Sequence, residues 1–210
     1  SEMCIRADGR EHTLDIQRQD GNNSTISTIN QLFNVLLNVW CKETTYPSCQ
    51  KDYDYDNDPT YGQCAITATL VYDLFGGTIH KLKVNGGGTH YFNKINGHYI
   101  DLTSDQFDLY DIPLEYVPNE VVPREYCEKN ADTKRRYQLL VDFVNKWTLK
   151  HKIKRQASIL FSISTVFISL VFKSNSIISL NSAANTGIPC NKKHIPIIVA
   201  LNLNFCLALI

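Results

Sequence analysis

The sequence has no CxxC pair, no glycine-rich loop followed by Lys-Ser or Lys-Thr, no surplus of charge of either sign and no internal repeat. Each absence removes a class of function. Without cysteines paired at short spacing there is no standard structural zinc framework. Gly86-Gly87-Gly88 runs into Thr89-His90 and lacks the lysine that would engage a phosphate. Lysine plus arginine equals aspartate plus glutamate at 21 each, so the whole-chain charge gives no sign of a nucleic-acid partner. The first residues hold no apolar run of the roughly 7–15 residues that a secretory signal needs. The seven cysteines are odd in number and irregularly spaced, which with the missing signal favours a reducing, cytoplasmic setting. No residue pattern calls for an organic cofactor or a metal.

What is present is unevenly spread. From Gln156 to Ile210 the only formal charges are Lys173, Lys192 and Lys193, which leaves 18 basic and 21 acidic residues before them, a net of −3. At 210 residues the chain has room for one domain with a sizeable core. Residues 1–23 are polar and aperiodic and read as a loose lead-in. Order is expected from 24 to 150. Thr25 or Ser27 is placed to cap a helix whose apolar positions Ile29, Leu32, Phe33, Leu36, Leu37 and Trp40 recur every three to four residues. From Glu43 to Tyr61 the chain is rich in tyrosine and aspartate, which suits a surface loop. Gly62 to Phe75 is small and apolar almost all round and stops at Gly76-Gly77, the pattern of a buried helix. Strands are expected at Thr78 to Val84, Thr89 to Ile95 and His98 to Leu102, the last two joined by an Asn96-Gly97 turn. Asp105 to Pro123 reads as loop, and Asp132 to Lys150 as a closing amphipathic helix. The basic run His151 to Arg155 reads as a solvated helix end. Residues 151–210 form an apolar extension. Its runs Ala157 to Phe172 and Ile195 to Ile210 hold 16 residues each, short of the ~20 that span a bilayer. A marginal membrane hairpin, with membrane association through 157–210, an added layer of structure and a non-native extension all remain open. The fold class that follows is α+β, a central buried helix packed on an antiparallel sheet.

Three residues in this layout have the types that nucleophilic cysteine chemistry needs: a sulfur, a nearby base, and a group that holds the base in its useful tautomer. Cys64 falls in the first turn of the buried helix, where the positive end of the helix dipole and free N–H groups favour an anion. His90 begins a strand after the glycine run. Asp101 lies across the Asn96-Gly97 turn. Pairing about that turn sets Ile95 opposite His98 and Phe92 opposite Asp101, so His90 and Asp101 become diagonal neighbours on one face. An oxyanion would be met by the Cys64 N–H, with Gln63 or Gln50 as second donor. Each residue also has an ordinary reading. A cysteine in an apolar helix is more often a small core residue, a strand histidine is commonly structural, and Asp101 can cap a turn.

Trp40 with Glu43-Thr44, Gly62-Gln63-Cys64-Ala65-Ile66-Thr67-Ala68, Gly76-Gly77, His90-Tyr91-Phe92-Asn93, Ile100-Asp101-Leu102-Thr103, Gln106-Phe107 and Arg136-Tyr137 together resemble the bacterial YunG-like proteins over approximately residues 26–148. More distantly, a cysteine at the start of a buried helix followed by histidine and aspartate on adjacent strands is similar to the papain-like and transglutaminase-like superfamily. That likeness implies a small papain-like domain with Cys64 as nucleophile, His90 as base and acid, and Asp101 as orienter. Trp40 and Asn93, both within these motifs, join Gln63 and Gln50 as expected oxyanion or substrate-binding residues. The expected activity is a cysteine hydrolase or acyltransferase acting on an amide or ester bond of a protein, peptide or small molecule. The rival is a non-catalytic binding module on the same scaffold, gripping its partner with Tyr46 to Tyr61. Metal binding through Cys41, Cys49, Cys64 and His90 is a weak third, since those intervals match no standard pairing.

Overall fold

The structure, a computed structural model, describes residues 4–5, 16–18, 26–85 and 87–186. Most of the expected lead-in, the apolar run at 195–210, Cys190, Cys206 and Gly86 lie outside the described residues. The chain divides into two units, Ser1–Arg155 and Gln156–Ile210.

Within the first unit the sequence pattern accounts for the helices. Helix α1 spans Ile29–Leu36 and buries Ile29, Leu32, Phe33, Val35 and Leu36. Its cap is Thr28, not Thr25 or Ser27: the Thr28 hydroxyl accepts from the Gln31 N–H at 3.2 Å while Gln31 Oε1 accepts from the Thr28 N–H at 3.3 Å. This reciprocal box needs a glutamine three residues after the cap, a condition only Thr28 meets. Helix α2, Cys64–Phe75, is buried nearly all round. It ends at Gly76 and Gly77, both at positive φ. A β-carbon at Gly77 would collide with the Lys94 carbonyl, so the stop is steric as well as conformational.

The sheet has strand order β1-β4-β3-β2-β5. Strands β2 (Thr78–Lys83), β3 (Thr89–Ile95), β4 (His98–Ile100) and β5 (Glu120–Val122) pair antiparallel, and β1 (Cys4–Ile5) joins β4 in parallel. The fold class is therefore α+β. The hairpin register matches the sequence expectation, with Ile95 opposite His98, Lys94 opposite Tyr99 and Asn93 opposite Ile100. Asn96 and Gly97 both hold positive φ, as a two-residue turn between right-twisted strands requires. Strand β4 stops at Ile100, so Asp101 lies one residue past the strand instead of within it. Ile95 and Ile100 share one core with Ile66, Leu70, Phe75, Leu32, Leu36 and Leu140, which fixes α2 against the sheet.

Three expectations are corrected. The 105–123 stretch is not all loop, because it contains α3 (Asp105–Asp108) and β5. Both are too short to show a hydrophobic period. The 43–61 segment is not wholly superficial: Thr44, Thr45, Asp58 and Thr60 are buried, with Asp58 Oδ1 accepting from both the N–H and the hydroxyl of Thr60. Helix α4 begins at Ala131, as its pattern suggests, but runs to Thr186. Its Leu140 and Val144 are buried, with Tyr137, Val141 and Trp147 packed beside them.

The second unit is helical across its described part. Its large apolar side chains stand exposed, with Leu160 66%, Phe161 65% and Phe167 63% accessible. Among the described residues no helix is long and apolar enough to cross a membrane.

Candidate active site

The start of α2 is held open by its neighbours. Gly62 sits at φ +69°, and a β-carbon there would lie 3.0 Å from Thr45 Oγ1 and 3.1 Å from both Cys49 Cβ and the Tyr46 nitrogen. The Tyr46 N–H donates to the Gly62 carbonyl at 3.0 Å, and the Gly62 N–H donates to Gln106 Oε1 at 3.3 Å. These bonds set the loop mouth beside Cys64. The helix has no side-chain cap, so its first-turn N–H groups face the space ahead of it without a built-in acceptor. Cys64 is half-buried.

His90, the second residue of β3, is 1% exposed, as is Asp101. His90 Nε2 and Asp101 Oδ2 are 2.6 Å apart. Since an ionised carboxylate only accepts, this bond places a proton on Nε2 and leaves Nδ1 as the basic nitrogen of the neutral ring. Oδ2 also accepts from the Tyr116 hydroxyl at 2.9 Å, and Oδ1 accepts from the Thr103 N–H and hydroxyl at 3.0 and 3.1 Å. The edge of Phe107 meets the imidazole with centroids 4.6 Å apart. Nδ1 is buried without a hydrogen-bond partner. The Cys64 sulfur lies close enough to raise the ring's pKa both by hydrogen-bonding and by charge, at a separation or angle outside strict hydrogen-bond geometry.

The charges follow from these contacts. Burial alone pushes His90 down, but the Asp101 carboxylate and, behind it, Cys64 outweigh that and lift the ring to about 10. Burial alone pushes Asp101 up; His90, Thr103 and Tyr116 outweigh it and hold the carboxyl below its ordinary range. The buried pair is therefore ionic at neutral pH. Burial also pushes the thiols of Cys41 and Cys127 up, which disfavours their thiolates.

Cys64 and His90 open on one cleft of about 1260 Å³. Tyr46, Tyr61, Tyr110 and Gln106 line it, with Gly87 and Gly88 on its rim. The structure thus brings Cys64, His90 and Asp101 together. The other four expected residues lie elsewhere. Gln63 is fully buried and donates to the Cys41 carbonyl at 3.0 Å. Gln50 donates to the Thr45 carbonyl at 3.3 Å. Trp40 is buried with its indole N–H on Thr67 Oγ1 at 3.1 Å, and Asn93 donates to the Ala68 carbonyl at 2.9 Å. None of the four lines the cleft. The reason for Gln63 is directional: the residue at the helix cap turns its side-chain amide to the Cys41 carbonyl instead of the cleft.

Of the side-chain amides that line the cleft, Asn85, Gln106 and Asn130, Gln106 also accepts from the Gly62 N–H beside Cys64 and spends one Nε2 hydrogen on the Thr103 carbonyl at 2.7 Å. Its place in the Gln106-Phe107 motif was the only sequence signal. Among the described residues no group of three His, Cys, Asp or Glu side chains is arranged to hold a metal ion.

The profile of the YunG protein family matches residues 28–149. The chain belongs to that family. The match covers Cys64, His90, Asp101, Tyr116 and Gln106, and lies inside the first unit. A relative, described as "Uncharacterized protein YunG" of Bacillus subtilis (strain 168), is 41% identical over 75 residues, which is 36% of this chain and 59% of that protein. The chain thus spans about 59% of the length of the curated YunG relative it matches. No solved structure matches the chain.

Proposed function

We propose that the YunG domain of this chain is a cysteine-dependent hydrolase or acyltransferase for an amide or ester bond, with the Cys-His-Asp relation of the papain-like enzymes. The observation that carries this reading is the buried His90–Asp101 ion pair, whose remaining ring nitrogen has no partner and lies beside a half-buried sulfur at an uncapped helix start. Buried polar groups mostly find partners, so an unpartnered ring nitrogen facing a sulfur calls for an explanation.

In this chemistry Cys64 Sγ attacks the substrate carbonyl carbon as thiolate, its proton residing on His90 Nδ1. The tetrahedral oxyanion is met by the first-turn N–H groups of α2, with the second Nε2 hydrogen of Gln106 as further donor. Collapse expels the amine or alcohol, which takes the proton from His90 and leaves an S-acyl cysteine. Water, or an acceptor nucleophile in a transferase, gives its proton to His90 and attacks the thioester carbonyl. Cys64 then departs as thiolate. Asp101 stays ionised throughout and keeps Nε2 protonated. The cleft volume accommodates a peptide segment or a small molecule. Such a thiol works in a reducing compartment such as the cytoplasm.

The second reading, a binding module, draws on the exposed tyrosines of the cleft, Tyr46 at 50% and Tyr110 at 59%, a residue type suited to partner contact. Site-resolved alkylation of the full chain separates the two. The hydrolase reading expects Cys64 to label faster than Cys41, Cys49 and Cys127 near neutral pH, with the lead lost in His90→Ala. Equal labelling, or a lead indifferent to His90, removes it.

A further inference from the structure

We infer that Tyr116 is a positioning residue for the His90–Asp101 pair, an inference that rests on the cysteine chemistry proposed above and extends it. Tyr116 lies in the segment between α3 and β5, 15 residues after Asp101, and its hydroxyl donates to Asp101 Oδ2 at 2.9 Å. The same oxygen accepts from His90 Nε2 at 2.6 Å. Among the described residues, the other carboxylate oxygen is held by Thr103, through its N–H and hydroxyl. Apart from His90 itself, Tyr116 is thus the donor that fixes the oxygen facing the ring.

That oxygen matters because the imidazole has little else to hold its orientation. Nδ1 has no hydrogen-bond partner, and the contacts of Phe107 and Phe92 with the ring are apolar. A half-turn of the ring about Cβ–Cγ would put Cε1 where Nε2 stands and Cδ2 where Nδ1 stands, and the short Nε2–Oδ2 bond is what opposes it. The Tyr116 hydroxyl also draws charge from Oδ2 and tempers the carboxylate's pull on the ring proton. The titratable groups facing the ring are Asp101 and Cys64, the two that act on it electrostatically. The Tyr116 ring does not depend on its hydroxyl for its place. It packs on Phe92 and Tyr99 with centroids 5.0 and 5.5 Å apart, and its carbonyl accepts from Asn119 Nδ2 at 2.6 Å. Removing the hydroxyl therefore leaves the ring packing in place and changes the donor set of Asp101.

The test is Tyr116→Phe in the full chain, read by Cys64 alkylation near neutral pH, by the thermal midpoint and by the proton resonance of His90 Nε2–H. Cys64 labelling is expected to slow about tenfold, the order of one hydrogen bond to a charged group, with the Nε2–H resonance moved or broadened and the midpoint little changed. An unchanged rate together with an unchanged resonance overturns the inference while leaving the cysteine reading intact. If Cys64 labelling in the parent chain proves indifferent to His90, the cysteine reading fails by itself. The resonance then decides alone: movement in Tyr116→Phe upholds the positioning role and constancy overturns it. Should Tyr116→Phe not fold, fluorotyrosine at 116 replaces it. Its more acidic hydroxyl shifts the Nε2–H resonance if the role is real and leaves it in place if not.

Discussion

His80 and His90 stand on neighbouring strands, share the Phe92 ring between them and are both buried, yet their hydrogen-bonding surroundings are opposite in kind. His80 has both nitrogens engaged by neutral groups, Nε2 with Thr78 Oγ1 at 2.8 Å and Nδ1 with Asn119 Oδ1 at 2.7 Å. His90 has one nitrogen on a carboxylate and the other unpartnered beside a thiol. Burial alone thus says nothing about function. What sets His90 apart is a charged partner behind it and an unspent nitrogen in front, the arrangement the proposed chemistry requires.

The contrast breaks most sharply at the carboxylate. Asp101→Ala removes one member of a buried ion pair and is expected to cost about 3–5 kcal/mol of stability, the usual penalty for a stranded buried charge, as read by chemical denaturation. His90→Ala is expected to slow Cys64 alkylation about a hundredfold, at the low end for loss of a positioned proton-transfer group. An equal slowing in His80→Asn would erase the distinction between the two rings. His80→Asn is instead expected to leave Cys64 labelling essentially unchanged and to lower stability by about 1–3 kcal/mol, for the buried partners it strands.

A pH series sharpens the same comparison with a smaller effect. His90 is raised in the folded chain, so its contribution to stability is complete below its unfolded value near 6.5 and is lost as pH climbs through about 10. Asp101 is lowered, so its contribution is present above its unfolded value near 4 and is lost as pH falls through the folded value. Denaturation midpoints at about pH 5, 7 and 9 should therefore decline in the parent chain and lose that decline in Asp101→Asn. Away from both rings, Thr28→Ala removes the α1 cap and sets the baseline at about 1 kcal/mol, with no change in Cys64 labelling.

The residue order Cys64, His90, Asp101 and the hairpin register were legible because each rests on local chemistry: a helix start after Gly62, a glycine-led strand and an Asn-Gly turn whose geometry fixes pairing. The supporting residues were not. Gln63 adjoins Cys64 and Gln50 lies 14 residues before it in the same loop, but position along the chain does not say where a side chain points, and both turn to backbone carbonyls. Tyr116 and Gln106 come to the site through tertiary packing of a segment that reads as featureless loop. Strand β5 has three residues between Pro118 and Pro123, too few for any periodicity to show. The length of α4 was missed because serine, threonine and asparagine interrupt its apolar run without breaking a helix.

Gly62 carries a consequence for how the cleft can be altered. Because its conformation and its close neighbours exclude a side chain, the entrance beside the sulfur has a fixed gauge that substitution at that position distorts and cannot tune. The exposed rings of Tyr46 and Tyr110 are bounded more loosely, by the Arg136 guanidinium 5.5 Å from the first and the Tyr61 ring 6.5 Å from the second. Substitution of those side chains can reshape the opening while the backbone threshold beside Cys64 stays as it is.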